Sequence, residues 1–183
     1  IEIKNNNEND YIFYPAHYSA HKNHFTILKA IKYLKEKNKI IKFVFCGHDK
    51  GNLNYIIQLS KKLEIYNQIK FNRFESKENL VTYFLNSRAI LFMSLFGPVN
   101  IPPLEAWYYN KPLISSNLFS DQLGEAAILV DPLDYKQISD AILKIDNKNI
   151  VDELVLNGKK KLEDIENNLK KTKENIKKKL NTF

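Results

Sequence analysis

Two kinds of apolar pattern alternate along this chain. Residues 11–15, 40–46, 68–71, 89–93, 112–115 and 126–130 are short, mostly apolar runs of strand length. Between them the apolar residues recur at steps of three and four, the spacing of one helix face. Ile27, Ile31 and Leu34 do so in a predicted helix over 24–36, with Asn23 as its cap. Leu53, Ile56, Ile57 and Leu59 mark a helix over 53–63, and Leu80, Val81, Phe84 and Leu85 one over 77–86. A short helix over 103–109 and another over 134–145, with Ile138, Ala141, Ile142 and Ile145 inward, complete the set. Apolar strands separated by helices predict a parallel sheet covered on both faces, a doubly wound α/β fold.

After residue 148 the pattern changes. Residues 149–180 read as a long polar helix or a pair of helices, on which Leu162, Ile165, Leu169, Thr172 and Ile176 draw a narrow apolar stripe. Such a stripe packs on the body or on a missing neighbouring domain; the functional alternative is docking of its lysines on an anionic membrane surface. Residues 1–10, mostly Asn, Glu and Lys without a starting Met, read as a linker from a longer protein. The expected organisation is a linker at 1–10, a Rossmann-like domain at 11–148 and a helical extension at 149–183.

Composition removes several classes of function. The chain has 183 residues and is 44% hydrophobic, enough for one domain with its own core. Its single cysteine, Cys46, excludes an internal disulfide framework and sits in an apolar run, as a small core residue would. No run approaches the roughly 20 apolar residues that span a bilayer, and no signal-like segment opens the chain. The expectation is a soluble, cytoplasmic protein, peripheral at the inner membrane face if the tail docks there. The net charge of +7 is mostly a tail property, because residues 158–183 hold nine lysines against four acidic residues. Without basic residues interleaved with exposed aromatics, or a reading motif, nucleic acid is not an expected partner.

Ligands of an open parallel sheet bind beyond the carboxyl ends of its strands, and three loops there have unusual content: 17–22, 72–76 and 94–105. The last holds three of the six prolines and ends on Glu105. No dinucleotide fingerprint follows the first strand and no phosphate-cradling loop occurs anywhere, which removes the usual NAD and ATP readings. What remains is a cation, Lys22, and a carboxylate, Glu105, on different loops. An ammonium suits a diphosphate, and a carboxylate accepts hydrogen bonds from the paired hydroxyls of ribose or a sugar. A helix starting at Pro102 or Pro103 adds free backbone N–H groups and a positive dipole end. Together these describe a nucleotide-sugar site with no metal and no further cofactor.

The same residues resemble the carboxyl-terminal, donor-binding half of a GT-B glycosyltransferase of the group 1 (family 4) kind, from Tyr11 to about Ile145. Tyr14-Pro-Ala-His-Tyr-Ser-Ala-His-Lys-Asn-His24 resembles the first loop and Phe43-Val-Phe-Cys-Gly47 the second strand with its glycine. Asn100-Ile-Pro-Pro-Leu-Glu-Ala106 resembles the donor loop, and Lys111-Pro-Leu-Ile-Ser-Ser116 with Gly124-Glu-Ala-Ala-Ile-Leu-Val-Asp-Pro132 the closing segment. The resemblance implies that Lys22 is catalytic, holding the donor diphosphate and stabilising the departing nucleotide, with His17 where the family has an arginine. It implies that Glu105 contacts the ribose and that the loop after the third strand, with Arg73, meets the nucleotide. The family's first glutamate falls on Gly97, so Val99, Asn100 and Ile101 are left to reach the sugar or its phosphate through backbone N–H groups, with the Asn100 side chain for a hydroxyl. The implied function is a retaining transferase of bacterial surface polysaccharide or lipopolysaccharide synthesis. The implied partners are a nucleotide-diphosphate sugar and a missing amino-terminal acceptor domain, without which the chain is inactive. The alternative is a non-catalytic nucleotide-binding or scaffolding module of the same ancestry.

Overall fold

Strands form where the short apolar runs lie, each parallel to its neighbour. The computed structural model describes residues 10–73, 76–97 and 101–180, so the expected linker except Asp10, and the residues Val99 and Asn100, lie outside the described residues. Strands β1 (Tyr11–Pro15), β2 (Lys42–Cys46), β3 (Ile69–Asn72), β4 (Ser87–Phe92), β5 (Leu113–Ser116) and β6 (Ile128–Val130) form one six-stranded sheet in the order β3-β2-β1-β4-β5-β6. Helices α1 (His24–Glu36), α2 (Leu53–Lys62), α3 (Lys77–Asn86), α4 (Ile101–Tyr108), α5 (Ser120–Leu123), α6 (Tyr135–Lys144) and α7 (Lys148–Leu180) cover it. This is the doubly wound, Rossmann-like sheet with a long carboxyl-terminal helix that the alternation predicts. Strand order reverses between β1 and β4, which opens a crevice beyond their carboxyl ends.

Alternate residues of β1 enter two different cores, which is why the strand is apolar throughout. Ile12 and Tyr14 join Ile27 and Ile31 of α1, Ile56 of α2 and Ile138 of α6. Tyr11 and Phe13 join Phe84 of α3 and Ala106 and Trp107 of α4. Helix α7 links the two: Leu154 belongs to the first core, while Leu162 and Ile165 pack against the second. Gly158 lies between these contacts, where a Cβ would stand 2.5 Å from Trp107 Cδ1, so only glycine lets the helices approach this closely.

Several details differ from the sequence expectation. The tail is one helix, and its stripe packs on the body only as far as Ile165; residues 166–178 are all exposed, Leu169 and Ile176 included. Ile40 is exposed ahead of β2, and Leu85 points outward from α3. Tyr83 takes the inner place instead, its carbonyl accepting the Tyr11 hydroxyl at 3.0 Å. Among the described residues no helix is long and apolar enough to cross a membrane.

His24, the first residue of α1, is buried among Tyr14, Tyr18 and Phe45 at ring-centroid distances of 4.9, 5.2 and 5.4 Å, with neither ring nitrogen hydrogen-bonded. Burial pulls its pKa down to about 3, with Lys22 adding to the effect. The unfolded chain therefore binds this proton first, near the ordinary histidine value, and stability falls as pH drops below about 6.5. Going from pH 7 to pH 5 is expected to cost about 2 kcal/mol through His24 alone. Urea titrations of wild type and His24→Phe at the two pH values check this, the variant losing that part of the pH dependence.

Candidate functional site

The crevice between β1 and β4 is built by the loops that leave them. Residues 16–23 follow β1 and turn into α1 through Asn23, whose φ of 58° is left-handed. Asparagine tolerates that conformation because its side chain bonds locally. Here Nδ2 donates to the Pro132 carbonyl at 2.6 Å and Oδ1 accepts from Thr26 Oγ1 at 2.7 Å. Asn23 thus stands at the N-cap position of α1, as expected, but its side chain anchors the loop and makes no capping hydrogen bond to the helix.

That anchored turn fixes Lys22. The Tyr14 hydroxyl donates to the Lys22 carbonyl, and Lys22 Nζ donates to Ser94 Oγ at 2.9 Å, across the crevice in the loop after β4. A second link joins the loops, the Leu95 N–H donating to the His21 carbonyl at 2.9 Å. Ser94 is fully buried and Lys22 half-buried, with its ammonium 5.8 Å from the Phe92 ring centroid. Burial holds the Lys22 pKa below the ordinary lysine value.

The other loops converge from the β2 and α4 sides. The Tyr18 hydroxyl lies 2.8 and 2.7 Å from the carbonyl oxygens of Phe45 and Asn72, laying the first loop on the ends of β2 and β3. The His48 backbone N–H donates to His17 Nδ1 at 3.1 Å. A nitrogen that accepts carries no proton, so His17 is neutral in this arrangement and keeps Nε2–H as its donor. Burial first, then His48, Lys50, Lys22 and His21, holds its pKa below the ordinary value, in the same direction.

A cavity of about 360 Å³ occupies this crevice, lined by four of the expected site residues: His17, Lys22, Ile101 and Glu105. Glu105 lies in α4 and is half-buried, and that burial raises its pKa. The start of α4 offers less than expected. It begins at Ile101, and Pro102 and Pro103 have no N–H, so its first turn donates only through Ile101 and Leu104. Arg73 is exposed beyond β3 and Gly97 is exposed in the loop after β4; neither lines the cavity.

Sequence reasoning missed Ser94, Cys46, His48 and Leu80. Ser94 is the partner that aims Lys22, while the other three line the cavity. His48 was findable, since it follows a glycine at the carboxyl end of a strand beside the first loop. Leu80 was assigned only to the core because helical spacing does not say which end of a helix meets a cleft. Among the described residues no group of three or more His, Cys, Asp or Glu side chains is placed to hold a metal ion.

Residues 2–172 match the family model of the glycosyl transferases group 1. The chain belongs to that family. It is similar to the O-antigen chain mannosyltransferase RfbU of Salmonella typhimurium, 27% identical over 128 residues that make up 69% of this chain and 35% of the relative. The chain thus spans about a third of that protein's length. Among solved structures, a glycosyltransferase from Rickettsia africae superposes with a TM-score of 0.75 at 17% identity, over 90% of this chain and 47% of that one. The carboxyl-terminal domain of a group 1 glycosyl transferase, LpcC, from Francisella tularensis superposes with a TM-score of 0.67 at 19% identity, over 83% and 84% of the two chains. The resemblance to a GT-B donor-binding half, read from the motifs, is borne out at the level of family and fold.

Proposed function

We propose that the crevice binds a nucleotide-diphosphate sugar and that the chain is the donor-binding part of a retaining glycosyltransferase, inactive without an acceptor-binding part. The observation that carries this is the Lys22 ammonium, fixed on Ser94 at the strand-order reversal in the cavity that also holds Glu105. When the bond from the sugar to the diphosphate breaks, negative charge builds on the diphosphate oxygens. Lys22 neutralises it with a full charge and His17 adds one N–H donor, with no metal needed at the diphosphate. Glu105 accepts the ribose hydroxyls, and the backbone after β3, at Arg73, meets the base. Gly97, Val99, Asn100 and Ile101 are assigned to the sugar side, where the expected first carboxylate is missing.

The likeness to an O-antigen mannosyltransferase supports a role in bacterial surface polysaccharide or lipopolysaccharide synthesis, a role that we place in the cytoplasm at the inner membrane face. The exposed, lysine-bearing stretch of α7 from 166 to 178 would contact anionic lipid there.

Calorimetric titration of the chain with UDP, GDP and their sugar esters tests the reading. One nucleotide should bind below millimolar, and Glu105→Ala should weaken it about 10- to 100-fold, the loss expected for hydrogen bonds to a charged group. No binding of any of them at millimolar concentration would contradict it.

A further inference from the structure

The donor site described above assigns the sugar to the loop from Gly97 to Ile101, and Phe96 stands directly before that loop. We propose that the Phe96 ring is the platform on which the donor's hexose lies, so that this chain recognises its sugar through an apolar C–H face and not through a carboxylate. The inference rests on the donor-site reading and goes beyond it in naming how the sugar is read.

Phe96 is 65% exposed in the loop that leaves β4, two residues after Ser94. It lies against the His21 ring in a tilted contact, with centroids 4.8 Å apart and planes at 31°. His21 is itself held by the Leu95 N–H on its carbonyl and lies within 3.3 Å of Ser19 Oγ through Nδ1. The phenylalanine is therefore braced on one face by the loop after β1, while much of its surface meets solvent. His21 immediately precedes Lys22, the cation for the diphosphate. A hexose esterified to a diphosphate must lie beside the group that holds its phosphate; neither His21 nor Phe96 lines the cavity itself, and the sugar extends out of it past Lys22 onto Phe96.

The neighbouring Gly97 stands where the family resemblance would put a carboxylate. Its φ is 115°, a conformation that side chains rarely adopt, although among the described residues no atom within 4 Å would obstruct a Cβ. The backbone, not lack of space, disfavours a glutamate there. An aromatic face carries negative quadrupole density and attracts polarised C–H groups, such as those along one side of a pyranose. Such a platform reads ring shape more than individual hydroxyls.

The test compares bare nucleoside diphosphates with their hexose esters, GDP with GDP-mannose and UDP with UDP-glucose and UDP-galactose, by calorimetry on the whole chain. Phe96→Ala and Phe96→Leu should each weaken the sugar ester about fivefold and leave the bare diphosphate within about twofold, whereas Phe96→Trp should keep wild-type affinity for both. A selective loss for the ester, shared by Leu and spared by Trp, assigns the ring to the sugar. Equal losses for ester and diphosphate, or no loss for either, would overturn the proposal while leaving the donor site intact. Absence of binding by every ligand to wild type would overturn both readings.

Discussion

Alanine in place of Lys22 is expected to reduce glycosyl transfer about 100- to 1000-fold in the enzyme completed by its acceptor part, the loss typical of one preorganised donor on a developing anion. The size of the effect follows from the charge count. Where the family pattern has an arginine and a lysine, this cavity has Lys22 and two histidines, His17 and His48, the first with its Nδ1 occupied by the backbone N–H of the second. Among the described residues no arginine lines the cavity, so little remains to replace the lost ammonium. Binding of the diphosphate to the chain alone should weaken about tenfold, since the ground state carries less charge at the breaking bond. Ser94→Ala should show a smaller loss, because it frees the ammonium without removing it. Steady-state kinetics on the three proteins separate these cases, and wild-type transfer by Lys22→Ala would contradict the role.

Gly47→Ala is expected to be the most damaging single methyl in the crevice. A Cβ on Gly47 would overlap the Ala16 carbonyl oxygen and stand 2.7 Å from the His17 nitrogen. Both are backbone atoms of a segment already tied to β2 by the Ala16 N–H on the Cys46 carbonyl at 3.0 Å. No side chain can rotate away, so the ends of β1 and β2 must separate, at a cost of about 3 kcal/mol. For a domain of this size that is a fall in melting temperature of roughly 6–12 °C. The same movement displaces His17 and His48, so donor affinity should fall with stability. Gly51→Ala is the control. Its φ is 90° but nothing lies within 4 Å, so it should cost only about 1 kcal/mol of backbone strain. Thermal melts rank the two, and a Gly47→Ala protein as stable as wild type would contradict the close approach.

The layered fold was legible because β1 carries apolar residues on both faces, and only a sheet covered on two sides needs that. The meeting of His17, Lys22, Ile101 and Glu105 was legible for a related reason: loops from the carboxyl ends of parallel strands share one edge. Side-chain pairings across that edge were not. Nothing in the spacing says that Lys22 reaches Ser94, because the link depends on the β1–β4 pairing and on a left-handed turn at Asn23. The donors counted at the start of α4 were overestimated for a local reason, since the two prolines that announce the helix also remove its N–H groups. Leu85 was placed inward by spacing alone, while Tyr83, with an apolar body and a polar tip, filled the inner position. The apolar stripe of the tail was read correctly as a pattern, yet a stripe does not show how much of it the body covers.

In the proposed complex a donor diphosphate sits between Lys22 and His17 with its nucleoside running toward Glu105. A crystal structure of the chain soaked with a nucleoside diphosphate tests it most directly. A phosphate oxygen is expected within hydrogen-bond distance of both Lys22 Nζ and His17 Nε2, with the ribose hydroxyls on the Glu105 carboxylate. A nucleotide bound elsewhere on the chain, or an empty crevice at saturating nucleotide, would contradict it.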